Sequence, residues 1–379
     1  MKEISEKIAA IPPSATIAMA DKAREMKASG IDVISLSIGE PDFDTPAHIT
    51  DACIDALRAG KTHYAPSQGI PELLDAIVAK AKRENAISAS RENVIVTCGA
   101  KDAIHQACEA VLNLGDEVLI IDPSWVSYEP AVIIAGGKPV HHSLSQKTFQ
   151  LDDSLLERVS QKTKMVVFSS PSNPTGSVLN ERSLRLIRDL CVDYDIFALS
   201  DEIYEKLIYG KIHHSLASMD GMAERTITVN GFSKAYAMTG WRVGYAVAPA
   251  QVLRQMIRVQ QHTVSHPATF AMYGALAAIT GDQSCVEQMR SEFEKRRDYV
   301  LESLEEMGFR TAPADGAFYA FLQVEGDDMD IAEDWLSKAH VAVTPGTAFC
   351  APGWLRLSYA ASMDVLEVAM ERIALHQSL

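Results

Sequence analysis

The chain has 379 residues, 47% of them hydrophobic and 22% charged, so it is long enough for about two globular domains and is neither disordered nor fibrous. Its 35 basic and 50 acidic residues give a formal net charge of −15, which argues against a nucleic-acid surface or an anionic-membrane surface. No secretory segment is expected, and because no run of about 18 apolar residues occurs, no transmembrane helix is expected either. Six widely spaced cysteines without a C-x-x-C pair favour free thiols in a reducing cytoplasm, and no metal site is predicted.

Helical and strand signals alternate along most of the chain. Strands are predicted at residues 94–97, 117–121, 164–168, 195–200, 226–229 and 243–247. Helices are predicted at residues 71–85, 102–113 and 180–193. This alternation predicts an α/β fold whose large domain has a mainly parallel sheet flanked by helices on both faces.

The pattern changes near residue 283, beyond which a smaller α+β domain is predicted. Its elements are a long charged helix, paired strands, a second helix and a last strand, at 285–307, 308–324, 330–340 and 354–359. Residues 1–45 are interpreted as an arm and linker because they are rich in turn signals. We therefore predict a large domain over 46–282 and a small domain formed by 283–379 together with 1–45.

The clearest chemical signal follows the strand at 226–229. Lys234 lies in the turn after that strand, with Ser233 beside it and Arg242 eight residues further on. A lysine at the carboxyl end of a buried strand can form a Schiff base with a carbonyl compound. A guanidinium and a hydroxyl nearby can bind phosphate, although a Lys near an Arg is more often a solvated surface pair.

Two further strands end in polar residues. Asp201 ends one apolar strand, and Tyr204 follows three residues later. The carboxylate could pair with a protonated ring nitrogen, and the phenol could hydrogen-bond a ring oxygen. The alternative is a helix N-cap and a packed tyrosine. Asn173 lies in the turn SSPSNPTG after the strand at 164–168, where it is either an amide donor at the sheet edge or only a turn residue.

Three other segments complete the inventory. The backbone amides of Ala100 and Lys101, between a strand and a helix, could bind a phosphate. Trp125 could stack on a flat cofactor or simply pack in the core. Arg356 either faces solvent or, if it faces inward, must pair with an anion such as a carboxylate. Together, these residues are what an enzyme dependent on pyridoxal phosphate needs.

The sequence resembles the class I aminotransferases, which have the fold of aspartate aminotransferase. The matching segments occur in the family's order and span nearly the whole chain: SLSIGEPDFDTP (35–46), HYAPSQGIPEL (63–73), DPSWVSY (122–128), SNPTG (172–176), SDEIY (200–204), SKAYAMTGWRVGY (233–245) and RLSY (356–359). The resemblance implies fold type I of the pyridoxal 5′-phosphate enzymes and a homodimer.

The resemblance also implies roles for individual residues. Lys234 would hold the cofactor covalently and later move the α-proton, Asp201 would bind the ring nitrogen, and Tyr204 and Asn173 would bind the ring oxygen. The remaining cofactor contacts would be Trp125 on the ring face, Ser233, Arg242 and the amides of Ala100 and Lys101 on the phosphate, and Tyr64 from the neighbouring subunit.

The implied substrates are an amino acid and a 2-oxo acid that react in turn by a ping-pong mechanism. Arg356 would bind the α-carboxylate, with help from Asn173 and the Gly39 backbone, beside Trp125. The aspartate-specific subgroup that the sequence most resembles has a PSAT segment, here residues 13–16, and a lysine in the phosphate turn, here Lys101. The resemblance therefore implies that Thr16 and Lys101 bind a distal carboxylate. The resemblance therefore favours aspartate with 2-oxoglutarate; alanine, aromatic or prephenate-type donors and a C–S β-lyase remain alternatives.

Overall fold

The computed structural model describes residues 4–13 and 15–377. Its α-helices are α1 (Glu6–Ala9), α2 (Ala15–Ala28), α3 (Ala47–Arg58), α4 (Pro71–Asn85), α5 (Ala100–Val111), α6 (Tyr128–Ile134), α7 (Glu181–Asp193), α8 (Ala250–His262), α9 (Thr269–Thr280), α10 (Ser284–Glu306), α11 (Asp328–Asp334) and α12 (Met363–Gln377). Its strands are β1 (Ile34–Ser35), β2 (Val94–Thr97), β3 (Glu117–Asp122), β4 (Lys138–Ser143), β5 (Thr163–Ser169), β6 (Phe197–Asp201), β7 (Thr226–Gly231), β8 (Gly244–Val247), β9 (Tyr319–Gln323), β10 (Val341–Ala342), β11 (Thr344–Pro345) and β12 (Trp354–Ser358). Within this described part of the chain, no helix has a stretch apolar and long enough to cross a bilayer.

A seven-stranded sheet forms the centre of the fold, in the order β2-β8-β7-β6-β5-β3-β4. Neighbouring strands run parallel except β8, which is antiparallel to both β2 and β7. Val94 and Val96 of β2 pack in the cluster that contains α4 and α9, whereas Ile95 packs with α5 and α8. Since side chains alternate along a strand, helices cover both faces, and the predicted mainly parallel α/β fold is confirmed.

The turns that carry the predicted site share one edge of this sheet. Strands β3, β5, β6 and β7 run parallel, so their carboxyl ends lie together. Because β8 is antiparallel to both of its neighbours, β2 runs in the same direction as β7 and also ends at this edge. Open parallel sheets bind ligands at this edge.

A second, smaller sheet is built from the C-terminal part of the chain. It is antiparallel, in the order β11-β12-β9, and Arg356 of β12 lies opposite Phe321 of β9 and Thr344 of β11. Strand β1 pairs with β10, which ties the N-terminal segment to this part of the chain. The predicted domain boundaries at residues 45–46 and 282–283 stay a prediction.

Three segments differ in detail from what the sequence pattern predicts. Residues 1–45 were expected to be an arm and linker but contain α2, whose Ala, Met, Lys and Glu residues favour helix. The strand pairing predicted within 308–324 is short: it consists of a bridge between Thr311 and Leu322 with two flanking backbone hydrogen bonds, and β12 pairs with the other side of β9. The helix predicted over 330–340 is present but begins at Asp328, is α-helical to Asp334 and continues as one π turn over Trp335–Ala339.

Candidate active site

A cavity of about 310 Å³ opens at the carboxyl edge of the seven-stranded sheet, where the β12 strand of the smaller sheet faces it. The described residues that line it are Thr16, Ile17, Gly39, Ala100, Lys101, Trp125, Val126, Ser127, Tyr128, Ser169, Asn173, Asp201, Ile203, Tyr204, Ser233, Lys234, Thr239, Arg242, Tyr319 and Arg356. Every site residue expected from the sequence is among them except Tyr64. The strand ends of the large sheet and one strand of the small sheet therefore meet in one place.

Lys234 projects into this cavity from the turn after β7. Its Nζ donates a hydrogen bond of 2.6 Å to the carbonyl of Gly39. Burial lowers the pKa of Lys234 to about 8; Glu40 acts against this change, and Arg356 and Arg242 add to it. The neutral amine that a nucleophile and base requires is therefore about a tenth of the population at pH 7, far more than for an unperturbed lysine.

Asp201, at the end of β6, is 4% exposed. One carboxylate oxygen accepts a hydrogen bond of 2.7 Å from the Tyr128 hydroxyl, and the other accepts one of 3.2 Å from the Ile203 amide. Burial raises the pKa of Asp201 to about 6, although both hydrogen bonds favour the charged form. A buried carboxylate of this kind is stabilised by a cationic partner that enters the cavity.

Tyr128 is a site residue that the sequence reasoning missed. It begins α6 three residues after Trp125, and the two rings meet edge to face with centroids 5.5 Å apart. The segment DPSWVSY contains this tyrosine, but only the structure brings it to Asp201, 73 residues away. Tyr128 is therefore a positioning residue for the carboxylate.

We expect Tyr128→Phe to loosen the site without disturbing the fold. Hydrogen bonds to charged groups are worth about 1.5–3 kcal/mol, so loss of this donor should weaken retention of a cationic ring about 10- to 100-fold. Equilibrium dialysis of the cofactor measures this change. Tyr209→Phe is the matched control, because its buried hydroxyl donates to the neutral Ala317 carbonyl; equal losses in both variants would contradict the role of Tyr128.

The amino end of α5 and Arg242 form an anion cradle. The first amides of a helix lack intrahelical acceptors, and the N-cap Gly99 offers no side-chain cap. A Cβ on Gly99 would lie 2.5 Å from Arg242 Nη2, and one on Gly244 would lie 2.5 Å from the Ala100 nitrogen. The two glycines thus allow the guanidinium and β8 to approach the helix end, with Ser233 beside them.

Arg356 is buried and faces the cavity, so the inward alternative from the sequence holds. Its Nη1 donates to Asn173 Oδ1 at 2.8 Å and its Nη2 donates to the Ser37 carbonyl at 2.5 Å. Its guanidinium lies 4.6 Å from the Tyr319 ring centroid and 4.8 Å from that of Phe349. Nη2 also lies 3.3 Å from the Thr344 hydroxyl, so three of the five N–H donors have protein acceptors. The Nε hydrogen is buried and has no partner among the described residues, and an Nη1 hydrogen remains for a ligand carboxylate.

Tyr319 is the second site residue that the sequence did not indicate. Its hydroxyl lies 2.8 Å from that of Tyr204, so the predicted ring-oxygen partner is held by a second tyrosine. A Cβ on Gly39 would lie 1.8 Å from the Tyr319 hydroxyl oxygen. Only glycine therefore fits at position 39, which presses its backbone against Tyr319 and Lys234.

Lys101 and Thr16 both line the cavity, and Lys101 lies beside Trp125. The Lys101 ammonium lies 5.0 Å from the Trp125 ring centroid, and burial, followed by Arg242, lowers its pKa. The Thr16 hydroxyl is buried and lacks a hydrogen-bond partner among the described residues. Ser14, which belongs to the PSAT segment, lies outside the described residues.

Tyr64 does not line this chain's cavity. Its side chain is 92% exposed and packs edge to face on His266, with ring centroids 5.8 Å apart. Its expected contact with a neighbouring subunit stays a prediction.

The charges and donors of the cavity fit pyridoxal phosphate. The charged residues in its described lining are four cations and one carboxylate: Lys101, Lys234, Arg242, Arg356 and Asp201. This excess of positive charge, in a chain with a net charge of −15, suits a phosphate and a carboxylate ligand. The remaining Arg356 Nη1 hydrogen and the α5 amides are donors that such ligands would satisfy.

Comparisons with known proteins agree with this geometry. Residues 31–373 match the family described as aminotransferase class I and II. The chain is 44% identical to the aspartate aminotransferase of Pyrococcus abyssi, over 98% of this chain and 97% of that protein. It is 42% identical to the aspartate/prephenate aminotransferase of Thermus thermophilus, over 99% and 98% of the two chains. A solved structure of Thermus thermophilus aspartate aminotransferase with maleate superimposes with a TM-score of 0.96 at 41% identity, covering 99% of this chain and all of that one.

Proposed function

Since the chain belongs to the family of class I and II aminotransferases, we propose that it uses pyridoxal 5′-phosphate to exchange amino groups between aspartate and 2-oxoglutarate. The observation that supports this most is the single cavity in which Lys234, Asp201 and Arg356 converge. Lys234 is a base, Asp201 is a negative charge for the ring nitrogen, and Arg356 is a hydrogen-bond donor for a carboxylate. They come from the turn after β7, the end of β6 and the strand β12.

When bound, pyridoxal phosphate supplies an aldehyde that condenses with amines and a ring that withdraws electrons from the substrate's α-carbon. Asp201, held by Tyr128, provides the negative charge that keeps the ring nitrogen protonated. Lys234 in its neutral form accepts the α-proton of the amino acid at Nζ. In the second half-reaction, Nζ delivers a proton to the α-carbon that comes from the 2-oxo acid. The Gly39 carbonyl, 2.6 Å from that nitrogen, orients the amine.

Binding and orientation of the ligands fall to the remaining groups. The α5 amides, Ser233 and Arg242 hold the phosphate, and the Trp125 ring covers one face of the cofactor. Arg356, supported by Asn173, pairs with the substrate α-carboxylate through its planar fork. Both half-reactions use the same clamp, because amino acid and 2-oxo acid carry the same carboxylate.

Selection of a dicarboxylic substrate is assigned to Lys101, with Thr16 as a hydroxyl donor. Both residues line the cavity, and the Thr16 hydroxyl has no hydrogen-bond partner among the described residues. The Thermus thermophilus structure to which the chain is similar carries maleate, a four-carbon dicarboxylate. A substrate with a second carboxylate would also relieve the repulsion between Lys101 and Arg242.

We expect Lys101→Met to change substrate choice and to leave the chemistry intact. Methionine is an unbranched apolar side chain that removes the ammonium near Trp125 and keeps the backbone amide at the start of α5. Loss of a charged hydrogen bond should lower kcat/KM for aspartate about 10- to 100-fold. Alanine, which lacks the distal carboxylate, is the matched control substrate and should show an unchanged kcat/KM.

The proposed substrate and the effect of Lys101→Met are measured in half-reactions with a panel of amino acids. The absorbance of the cofactor follows each half-reaction, and 2-oxoglutarate completes the exchange. Equal losses for aspartate and alanine would contradict a role for Lys101 in specificity. Faster reaction with aromatic donors or prephenate-type acids than with aspartate would overturn the proposed substrate. Release of pyruvate and ammonia without a 2-oxo acid would instead indicate a β-lyase.

We assign the active form to a homodimer in which Tyr64 reaches the phosphate of the neighbouring subunit, in a reducing cytoplasm. The 92% exposure of Tyr64 beside His266 supports the first assignment, and the six free cysteines support the second. The two subunits of such a dimer would each depend on the other's tyrosine.

Hybrid dimers test this arrangement. Tyr64→Ala and Lys234→Ala subunits are each expected to form weakly active or inactive homodimers. A hybrid of the two contains one site with both Lys234 and Tyr64, so mixing after mild dissociation should restore activity. Two Lys234→Ala preparations mixed in the same way are the control, and a hybrid without restored activity would contradict sharing of Tyr64.

A further inference from the structure

Outside the cavity, three side chains with metal-binding atoms meet where the two sheets adjoin. Asp122 ends β3, His141 lies on the edge strand β4, and Cys350 follows the short 3-10 turn Gly346–Phe349 that precedes β12. One carboxylate oxygen, one imidazole nitrogen and the thiol sulfur all lie within 4.8 Å of one another. His141 Nδ1 is 2.8 Å from Asp122 Oδ2.

The Asp122 carboxylate is not fully satisfied by these neighbours. Asp122 is 1% exposed, and its Oδ1 is buried without a hydrogen-bond partner among the described residues. A buried carboxylate oxygen that lacks a donor costs free energy unless a cation or another donor compensates it. His141 is the partner of Oδ2 only, so among the residues that the structure describes the cluster still lacks a partner for Oδ1 at its buried end.

A second cluster in the described part of the chain does not have this deficit. Glu202, Glu205 and His213 also bring three ligand atoms together. However, Lys80 already forms an ion pair with Glu205, and Glu202 accepts hydrogen bonds from Ser215 and His213. Its negative charge is compensated within the protein.

We propose that Asp122, His141 and Cys350 bind a Zn²⁺ ion. Zinc accepts carboxylate oxygen, imidazole nitrogen and thiolate sulfur together, whereas Mg²⁺ and Ca²⁺ prefer oxygen alone. The exposed position of Cys350 leaves a path for the ion and room for water as the fourth ligand. His141 Nε2 lies 3.8 Å from Glu129 Oε2. With Nδ1 on the metal, the other ring nitrogen would therefore have a carboxylate nearby, as is usual for histidine ligands.

This ion would join the two sheets beside the substrate site. Asp122 and His141 belong to the seven-stranded sheet, whereas Cys350 belongs to the segment between β11 and β12. Phe349, next to Cys350, lies against the Arg356 guanidinium, and its carbonyl accepts a hydrogen bond of 3.2 Å from the Ser124 amide. Zinc would therefore fix Phe349, and with it one wall of the carboxylate clamp, to the large sheet.

Calorimetric titration of the chelator-treated holoenzyme with Zn²⁺ tests the proposal. We expect one saturable site per chain, weakened by at least about tenfold in Cys350→Ser and in His141→Gln. His142→Gln is the matched control: His142 is the next residue on β4, and its side chain points to the opposite face of the sheet. It should bind zinc as the unmodified chain does.

Alkylation provides an independent readout for each cysteine. Zn²⁺ should slow the reaction of Cys350 with iodoacetamide, measured by peptide mass spectrometry, and leave the half-exposed Cys53 and Cys285 unchanged. Thermal unfolding without zinc checks that the variants fold. The proposal is overturned if the unmodified chain shows no saturable binding, if binding survives in both Cys350→Ser and His141→Gln, or if Cys350 is not protected.

Discussion

Lys234→Ala is expected to abolish transamination. The substitution removes both the amine that joins the cofactor to the chain and the base that moves the α-proton. General bases contribute about 10²- to 10⁴-fold on their own, so the loss of kcat should be at least of that order. The measurement is steady-state exchange between aspartate and 2-oxoglutarate, with Lys82→Ala, an exposed lysine on α4, as the control.

The same residue makes a prediction about pH that needs no substrate. Burial lowers the pKa of Lys234 to about 8, against about 10.4 for an unperturbed lysine. In the cofactor-free protein, the neutral fraction of this amine should rise as pH increases through about 8. Competitive acetylation followed by mass spectrometry reports that fraction for each lysine, and a midpoint near that of a free lysine would contradict the buried, nucleophilic amine.

Lys234→Arg separates the two properties of the residue. Arginine keeps a positive charge near Gly39 but stays protonated at all working pH values. If charge alone were needed, this variant would retain activity. Activity close to that of the unmodified chain in either variant would end the assignment of Lys234 as the base.

The central residues of the site were predictable because local sequence carries their signal. Asp201 ends a short apolar strand, Lys234 and Asn173 each follow one, and the carboxyl ends of the parallel strands lie at one edge of the sheet. Arg356 was ambiguous in sequence, since an alternating strand does not state which face is buried. Its hydrogen bonds to Asn173 and Ser37 resolve that ambiguity.

Residues that act across long sequence separations were not predictable in this way. Tyr128 reaches Asp201 over 73 positions, and Tyr319 reaches Tyr204 over 115. Nothing in the local pattern distinguishes them from tyrosines that only pack. The direction of β8 was hidden for a related reason, since an apolar run buried on both faces has the same pattern in parallel and antiparallel strands.

Asp201→Asn should retain the shape of the site and lose most of its activity. Asparagine can still accept the Tyr128 hydrogen bond but carries no charge to keep a ring nitrogen protonated. Removal of one preorganised electrostatic group in an active site costs about 10²- to 10³-fold in kcat. We expect at least this loss, with KM for aspartate changed far less, because Arg356 and Lys101 still bind the two carboxylates.

Glu202→Gln is the matched control for this prediction, since Glu202 is the adjacent buried carboxylate. Its side chain hydrogen-bonds Ser200, Ser215 and His213 and does not line the cavity. The negative charge of Glu202 raises the pKa of Asp201, so its removal should favour ionised Asp201 and preserve turnover. Because burial raises the pKa of Asp201 to about 6 before a cation binds, cofactor retention by the unmodified chain should weaken as pH falls through that value. A mild effect of Asp201→Asn on kcat, or a larger loss in Glu202→Gln, would refute the assignment of Asp201 to the ring nitrogen.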